Sequence, residues 1–303
     1  MSPTSFRKII VGSDGRSSGR DALALGSVLG ALGHADVLAV GVYIDPMLPF
    51  PRHSELRAAC EQLLRDDRDT IAPEARVACV AAISPAAALV HAVQREHADL
   101  LILGSDPRAE FGTVRAGRHA QQLLHGGPCA IAIAPRGYAV AAAPLRRIVA
   151  GYDGSPEAAD AVRHALRIGA AAGSDVRVVT AVDPLPPTSG GYEALVYVPT
   201  DWPRLAEIGR TQARAQLDEL LADADGVASE VVDGEPGAAL RKASQDADLL
   251  VIGSRHWGPF AQLFVGSVAG YVVRRAECPV LITPRRAEQT PAAAPRATAV
   301  ALS

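Results

Sequence analysis

The chain contains the same sequence pattern twice. Residues 7–45 and 146–184 share, in order, an apolar run, Gly-x-Asp-Gly, small polar residues, an alanine-rich segment, a glycine and a second apolar run. Further along, "HADLLILGS" matches "DADLLVIGS", and "GGPCAIAIAP" matches "AECPVLITP". An internal duplication of this length restricts the fold to one unit that is built twice. We therefore divide the chain into a first copy, residues 5–137, and a second copy, residues 145–286.

The two copies differ in length at one place. Asp14 and Asp153 lie 139 positions apart, whereas Gly104 and Gly253 lie 149 apart. The second copy therefore carries about ten extra residues, which we place in a long loop at 183–203. Long loops often carry binding specificity.

One further segment joins the copies and another follows them. The stretch 135–146 is rich in proline and small residues and is predicted to be an unstructured linker. Residues 287–303 have no aromatic residue and no apolar periodicity, so a disordered tail is expected.

Each copy alternates short apolar runs with helical segments. The runs are "KIIVGS", "DVLAVGVYI", "RVACVAA", "DLLILGS" and "AIAIAP" in the first copy, and "RIVAGY", "DVRVVTAV", "SEVVDG", "DLLVIGS" and "VLITP" in the second. Continuous apolar runs indicate strands that are covered on both faces. The sequence therefore predicts an α/β protein with two tandem, open, parallel five-stranded sheets and helices on both faces. A ligand of such a sheet would lie beyond the carboxyl ends of the strands.

Two helix starts can be predicted from local sequence. Ser155 followed by Pro156 is typical of an N-cap and a first helical residue. Ser18 with Asp21 resembles a capping box at the equivalent helix of the first copy.

Composition excludes several classes of protein. A formal net charge of −3 over 303 residues argues against a nucleic-acid-binding protein. The most apolar stretch, residues 78–93, is interrupted by Ser84, Pro85 and His91, so no membrane span is expected. No export signal is visible. We expect a cytoplasmic protein whose four cysteines are buried, reduced thiols.

The ordered set of features resembles the universal stress protein family, here in tandem. The features are Gly-x-Asp-Gly after the first strand in both copies, "ADLLVIGS", a loop, Gly-Ser, a helix and the final "CPVLITP". The resemblance implies strand order 3-2-1-4-5. It also implies association through the last strand, so that the two copies form an internal pseudo-dimer. A homodimer and an unknown protein partner are further expectations.

Family members that bind ATP carry Gly-x-x-Gly, nine residues, and then Gly-Ser or Gly-Thr. Glycines in this motif let backbone N–H groups approach phosphate oxygens. The second copy keeps Gly253, Gly266 and Ser267 but has His256 at the second glycine. The first copy has Pro107 at that glycine and Arg118 in place of the serine. Each lost glycine is expected to weaken binding, and proline removes a donor outright.

By resemblance, an adenine nucleotide, ATP, would bind the second copy only. The implied site consists of Asp153 at the ribose or adenine, Gly151 and the backbone near Val182 at the base, Gly253, Gly266 and Ser267 at the phosphates, and Arg255 or His256 in partial replacement of the missing glycine. The alternative interpretation of the same glycines is a chain turn with a helix cap. The protein would then be a scaffold that acts through its pseudo-dimer surfaces.

Other signals are weaker. Trp202 and Trp257 could stack on a base or serve as packing lids. Asp14 could be a functional residue or could cap its own turn through its side chain, and in a degenerate copy we favour the second interpretation. His119 and His125 are six positions apart, which does not place two metal ligands on one helical face. Because no catalytic constellation is recognisable, we predict neither a resident metal nor enzymatic turnover.

Overall fold

The computed structural model describes residues 6–43, 53–125, 127–183, 202–224, 226–254 and 266–284. Its strands are β1 (Lys8–Ser13), β2 (Asp36–Tyr43), β3 (Arg76–Ala81), β4 (Leu100–Gly104), β5 (Ala130–Ala134), β6 (Arg147–Gly151), β7 (Asp175–Val182), β8 (Ala228–Asp233), β9 (Leu249–Gly253) and β10 (Val280–Thr283). Its helices are α1 (Ser17–Ala31), α2 (His53–Ile71), α3 (Pro85–Glu96), α4 (Arg118–Leu124), α5 (Tyr138–Ala141), α6 (Pro156–Ala172), α7 (Trp202–Leu220), α8 (Pro236–Ser244) and α9 (Ser267–Val272).

All ten apolar runs form strands, and the strands within each copy are parallel. Central strands are buried on both faces, as their continuous apolar sequence predicts. Ile9, Ile10 and Val11 of β1, for example, are all fully buried. The α/β class predicted from the sequence is confirmed.

The strands form one sheet rather than two separate sheets. Its order is β3-β2-β1-β4-β5-β10-β9-β6-β7-β8. The halves meet where β5 pairs antiparallel with β10, with Ile131 opposite Ile282 and Ile133 opposite Val280. Each half follows the order 3-2-1-4-5 in its own strand numbers. Because β5 and β10 are each paired on both sides, neither offers a free edge to a second chain.

Successive side chains of each strand point alternately to two apolar layers, one on each face of the sheet. Ile10 and Ile282 belong to one layer, whereas Ile9 and Leu281 belong to the other. Each layer includes residues of both copies, so the hydrophobic cores continue across the junction.

The predicted unstructured linker is wrong. Residues 138–141 form the short helix α5, and Tyr138 is only 9% exposed. The carboxylate of Asp21 holds this segment, because it accepts hydrogen bonds from the backbone N–H groups of Gly137 and Ala139, both at 2.8 Å. The linker is anchored by a buried side chain that is distant in sequence, which composition alone does not reveal.

The structure agrees with one of the two helix-cap predictions. Ser155 caps α6 by accepting from the N–H of Ala158, and Pro156 follows it. The proposed capping box of Ser18 and Asp21 does not form. Asp21 is turned toward the linker, and the Ser18 hydroxyl donates to Asp14 instead.

The prediction of four reduced thiols is also wrong. Cys60 of α2 and Cys79 of β3 form a disulfide. Their 19-residue separation in sequence gave no sign of this, since the helix must first pack on the strand to bring the two sulfurs together. Cys129 and Cys278 are free and buried.

Three predicted features lie outside the described residues. They are most of the inserted loop, at 184–201, the tail after residue 284, and Trp257 with its neighbours at 255–265. Trp202 begins α7. The loop and the tail stay predictions.

Candidate functional site

A cavity lies at the carboxyl ends of β6, β7 and β9, where parallel sheets usually bind ligands. β6 has β7 on one side and β9 on the other, so the strand order reverses at this point. The helices α6, α8 and α9 complete the walls. The described lining residues are Gly151, Tyr152, Asp153, Ser155, Glu157, Ala158, Val179, Ala181, Pro236, Leu240, Ile252, Gly253, Ser254, Gly266, Val268 and Ala269.

Gly253 is required by packing as well as by any ligand. A Cβ built on this residue would lie 2.7 Å from the carbonyl carbon of Glu157 and 2.9 Å from the backbone nitrogen of Ala158. Backbone atoms in the first turn of a helix cannot move aside cheaply. Gly253 therefore lets α6 approach the sheet, and this close approach forms one side of the cavity.

Asp153 occupies a tight turn between β6 and α6. The turn is completed by Gly154, whose φ of +82° lies in the region that favours glycine. The Asp153 carboxylate accepts from the backbone N–H of Ser155 at 3.1 Å. It is exposed at the mouth of the cavity. A carboxylate in this position can accept hydrogen bonds from ligand hydroxyl groups.

Tyr152 also lines the cavity. Burial raises the pKa of its phenol, and the nearby carboxylates of Asp153 and Glu219 raise the pKa further. The hydroxyl therefore stays protonated at neutral pH and can donate a hydrogen bond.

The structure brings together most of the residues predicted from the motif. Gly151, Asp153, Gly253 and Gly266 line the cavity. Ser267 is the first residue of α9 and is exposed beside this wall. Arg255 and His256 lie outside the described residues.

Val182 is not among the described lining residues of the cavity. Its carbonyl instead accepts from the N–H of Gly234. β7 contributes Val179 and Ala181 to the wall. These two residues share a face of the strand, and a period-two reading of β7 could have identified them. Leu240 and Ile252 were missed because both resemble ordinary core residues in the sequence.

The equivalent loop of the first copy uses most of its backbone donors internally. The N–H groups of Asp106, Ala109, Gly112, Thr113, Val114, Arg115, Ala116 and Arg108 all donate to protein oxygens. Pro107 has no N–H group to donate. In the turn before α1, Asp14 accepts from the N–H of Arg16, which confirms the predicted side-chain turn.

The shape and charge of the cavity limit what it can hold. Its volume is about 90 Å³, below the roughly 300–1,000 Å³ of a typical small-molecule site. The walls include the apolar side chains of Val179, Leu240 and Ile252, with the carboxylates of Asp153 and Glu157 at one side. The described walls therefore favour an uncharged, hydroxyl-bearing ligand part, and any phosphate groups would lie outside them.

Within the ranges given above, no group of histidine, cysteine and acidic side chains is arranged to hold a metal ion. Among the same residues, no helix is both long and apolar enough to cross a membrane.

Comparison with known proteins agrees with the duplicated fold. The universal stress protein family matches residues 5–135 and 144–284. A universal stress protein of Mycobacterium bovis is 31% identical over 209 residues, which cover 66% of this chain and 69% of that protein. A universal stress protein of Thermus aquaticus is 32% identical over 143 residues, 46% of this chain and 98% of that protein.

Solved structures show the same architecture. The crystal structure of a universal stress protein from Archaeoglobus fulgidus covers 92% of this chain and 99% of its own, with a TM-score of 0.69 and 18% sequence identity. This likeness shows the fold. The two matches of the family model, over residues 5–135 and 144–284, show that the chain belongs to the universal stress protein family.

Proposed function

We propose that this protein binds an adenine nucleotide, ATP, in the second copy and acts as a nucleotide-dependent stress-response protein. The main support for the proposal is the cavity in the second copy, which lies where the strand order of the sheet reverses. The adenine would pack between the apolar side chains of Val179, Leu240 and Ile252. The ribose hydroxyls would donate to Asp153.

The phosphates would extend toward Gly266 and Ser267. Gly266 has an extended backbone and no side chain that caps α9. Its position leaves space at the mouth of the cavity where phosphate oxygens could approach the backbone. In this proposal the first copy does not bind nucleotide, because most of its loop donors already have protein acceptors.

Titration calorimetry with ATP, ADP, AMP and cyclic AMP tests the proposal. Gly266→Asp places a carboxylate beside the phosphates. At a separation near 4 Å it would cost about 4 kcal/mol at an effective dielectric constant of about 20. This energy corresponds to a loss of affinity of about 1,000-fold. The variant should fold, since φ of −65° and ψ of 174° suit an aspartate N-cap.

The duplication supplies a matched control. Gly117 is the equivalent N-cap of α4, with φ of −72° and ψ of 175°. Gly117→Asp should leave the heat of ATP binding unchanged. If no nucleotide binds the wild-type chain, or if Gly117→Asp removes binding and Gly266→Asp does not, the proposal is wrong.

We propose binding without turnover, because the described residues that line the cavity include no histidine or cysteine from which a serine–histidine or cysteine–histidine pair could be built. ADP release should therefore not exceed the background rate of ATP hydrolysis. Sustained ADP release that disappears in Asp153→Ala would contradict this and would indicate an ATP hydrolase.

The second candidate is a scaffold that has lost nucleotide binding. The exposed carboxylate of Asp153 and the small cavity volume favour it. Two measurements distinguish the candidates. Nucleotide released by denaturing the freshly purified protein supports nucleotide binding. Titrations in which no nucleotide binds support the scaffold.

A further inference from the structure

A second groove lies at the junction of the two copies, away from the nucleotide cavity. It encloses about 400 Å³. The first copy contributes the loop between β4 and α4, and the second copy contributes α8, α9 and the turn after α9. The lining residues are Arg108, Ala109, Glu110, Thr113, Arg115, Arg241, Tyr271, Arg274 and Arg275.

Backbone hydrogen bonds fix the two walls against each other. The N–H of Val114 donates to the carbonyl of Ala276 at 2.7 Å, and the N–H of Ala116 donates to the carbonyl of Val273 at 2.8 Å. The side chains of Val114 and Ala116 are buried, whereas Arg115 between them is exposed. The same contacts that join the copies therefore direct Arg115 toward the groove.

The charge of the groove is unbalanced. Of the nine described residues that line it, five are arginines, and among these nine only Glu110 is acidic. Arg108 pairs with Asp106 at 3.1 Å, and Arg241 pairs with Glu277 at 3.0 Å.

The other three arginines, Arg115, Arg274 and Arg275, have no carboxylate within 4.0 Å in the part of the chain that the structure describes. The guanidinium of Arg275 lies 4.4 Å from the centre of the Tyr271 ring, which fixes it over that ring. The net charge of the chain is −3, so this local cluster of positive charge stands out. A cleft lined by charges of one sign attracts ligands of the opposite sign, here anions.

We propose that this groove binds a small anion that carries more than one phosphate group. Guanidinium groups match phosphate oxygens in geometry and stay charged at all physiological pH values. The volume is that of a small-molecule site. The proposal does not depend on nucleotide binding in the second copy.

Inorganic tripolyphosphate is the probe, titrated into the full chain at low ionic strength. We expect binding that weakens as salt is added. The double variant Arg274→Gln with Arg275→Gln should bind about tenfold more weakly, because exposed ion pairs are worth about 1 kcal/mol or less each. Arg115→Gln should weaken binding in the same direction.

A matched control removes the same charge elsewhere. Arg7 and Arg146 are exposed and lie outside the groove. Their double replacement by glutamine should change the affinity less than about twofold, since screening weakens distant charges. Circular dichroism of each variant checks that the fold is retained.

The outcomes separate the two sites. If the wild-type chain does not bind tripolyphosphate, or if the groove variant and the control variant bind equally, the groove is not an anion site. If binding is lost in Gly266→Asp but kept in the groove variant, the anion occupies the nucleotide cavity and the proposal is overturned. Loss in the groove variant alone supports it.

Discussion

The carboxylate of Asp21 provides a sharp test of how the two copies are joined. It is 3% exposed and accepts from the N–H groups of Gly137 and Ala139, each at 2.8 Å. Asp21→Ala removes the acceptor of both bonds. Asp160, which lies 139 positions later, occupies the equivalent place in α6 but pairs with Arg163 near the surface. Asp160→Ala is therefore a control at the matched position of the duplicated unit.

The expected magnitude follows from the number of bonds. A hydrogen bond to a charged group contributes about 1.5 to 3 kcal/mol. The two amides are partly buried, so water would replace part of this contribution after truncation. We expect Asp21→Ala to lower the free energy of unfolding by about 3 kcal/mol and Asp21→Asn, which keeps one acceptor oxygen, by about half as much. Asp160→Ala should cost only about 0.3 to 0.5 kcal/mol.

Equilibrium unfolding in urea, followed by circular dichroism, measures these differences. Hydrogen exchange adds a local readout, because the amides of Gly137 and Ala139 should lose protection in Asp21→Ala. Equal destabilisation by Asp21→Ala and Asp160→Ala, or unchanged protection of the two amides, would refute the assignment of Asp21 as the anchor of the linker.

Two further predictions concern covalent and packing constraints. Alkylation of the unfolded chain without reductant should label Cys129 and Cys278 only. In the native state neither should react at neutral pH, because burial raises the pKa of Cys129 to about 12 and that of Cys278 as well. Labelling of all four cysteines in the unfolded chain without reductant would disprove the disulfide. Reduction of Cys60–Cys79 should lower the free energy of unfolding by up to about 3 kcal/mol. Gly253→Ala should destabilise the chain by about 1 to 3 kcal/mol through overpacking against α6. As a control, Gly266→Asp should unfold at the same urea concentration as the wild type. Equal unfolding midpoints for Gly253→Ala and the wild type would show that α6 can shift.

The strands could be predicted because their signal is local. A continuous apolar run such as "DLLVIGS" is sufficient to indicate a doubly covered strand, and its repetition 149 residues earlier removes most of the ambiguity. The linker could not be predicted in the same way. Its order depends on Asp21, more than 100 residues away in the chain, and nothing in "GYAVAAAP" reveals that contact.

In the candidate site, too, residues of a local motif could be predicted from sequence, whereas residues placed by tertiary packing could not. Gly151, Asp153, Gly253 and Gly266 belong to a spaced motif and were identified from sequence. Leu240 comes from α8 and lies against Gly151, with a side-chain carbon 3.0 Å from the position of an added Cβ. An apolar wall residue of this kind depends on how a helix packs over the sheet, so its role appears only in three dimensions.

The junction explains why the two halves need not perform the same task. β5 and β10 pair with each other inside the sheet. The backbone groups at their edges, which could otherwise pair with another chain, are therefore already hydrogen-bonded within this one. The loop of the first copy bonds through Val114 and Ala116 to the turn after α9. Because α9 begins at the candidate cavity of the second copy and ends at the arginine groove, the first copy supports one wall of each. A substitution that loosens the Val114 and Ala116 contacts should therefore affect ligand binding in the second copy, even though the first copy binds no nucleotide in this scheme.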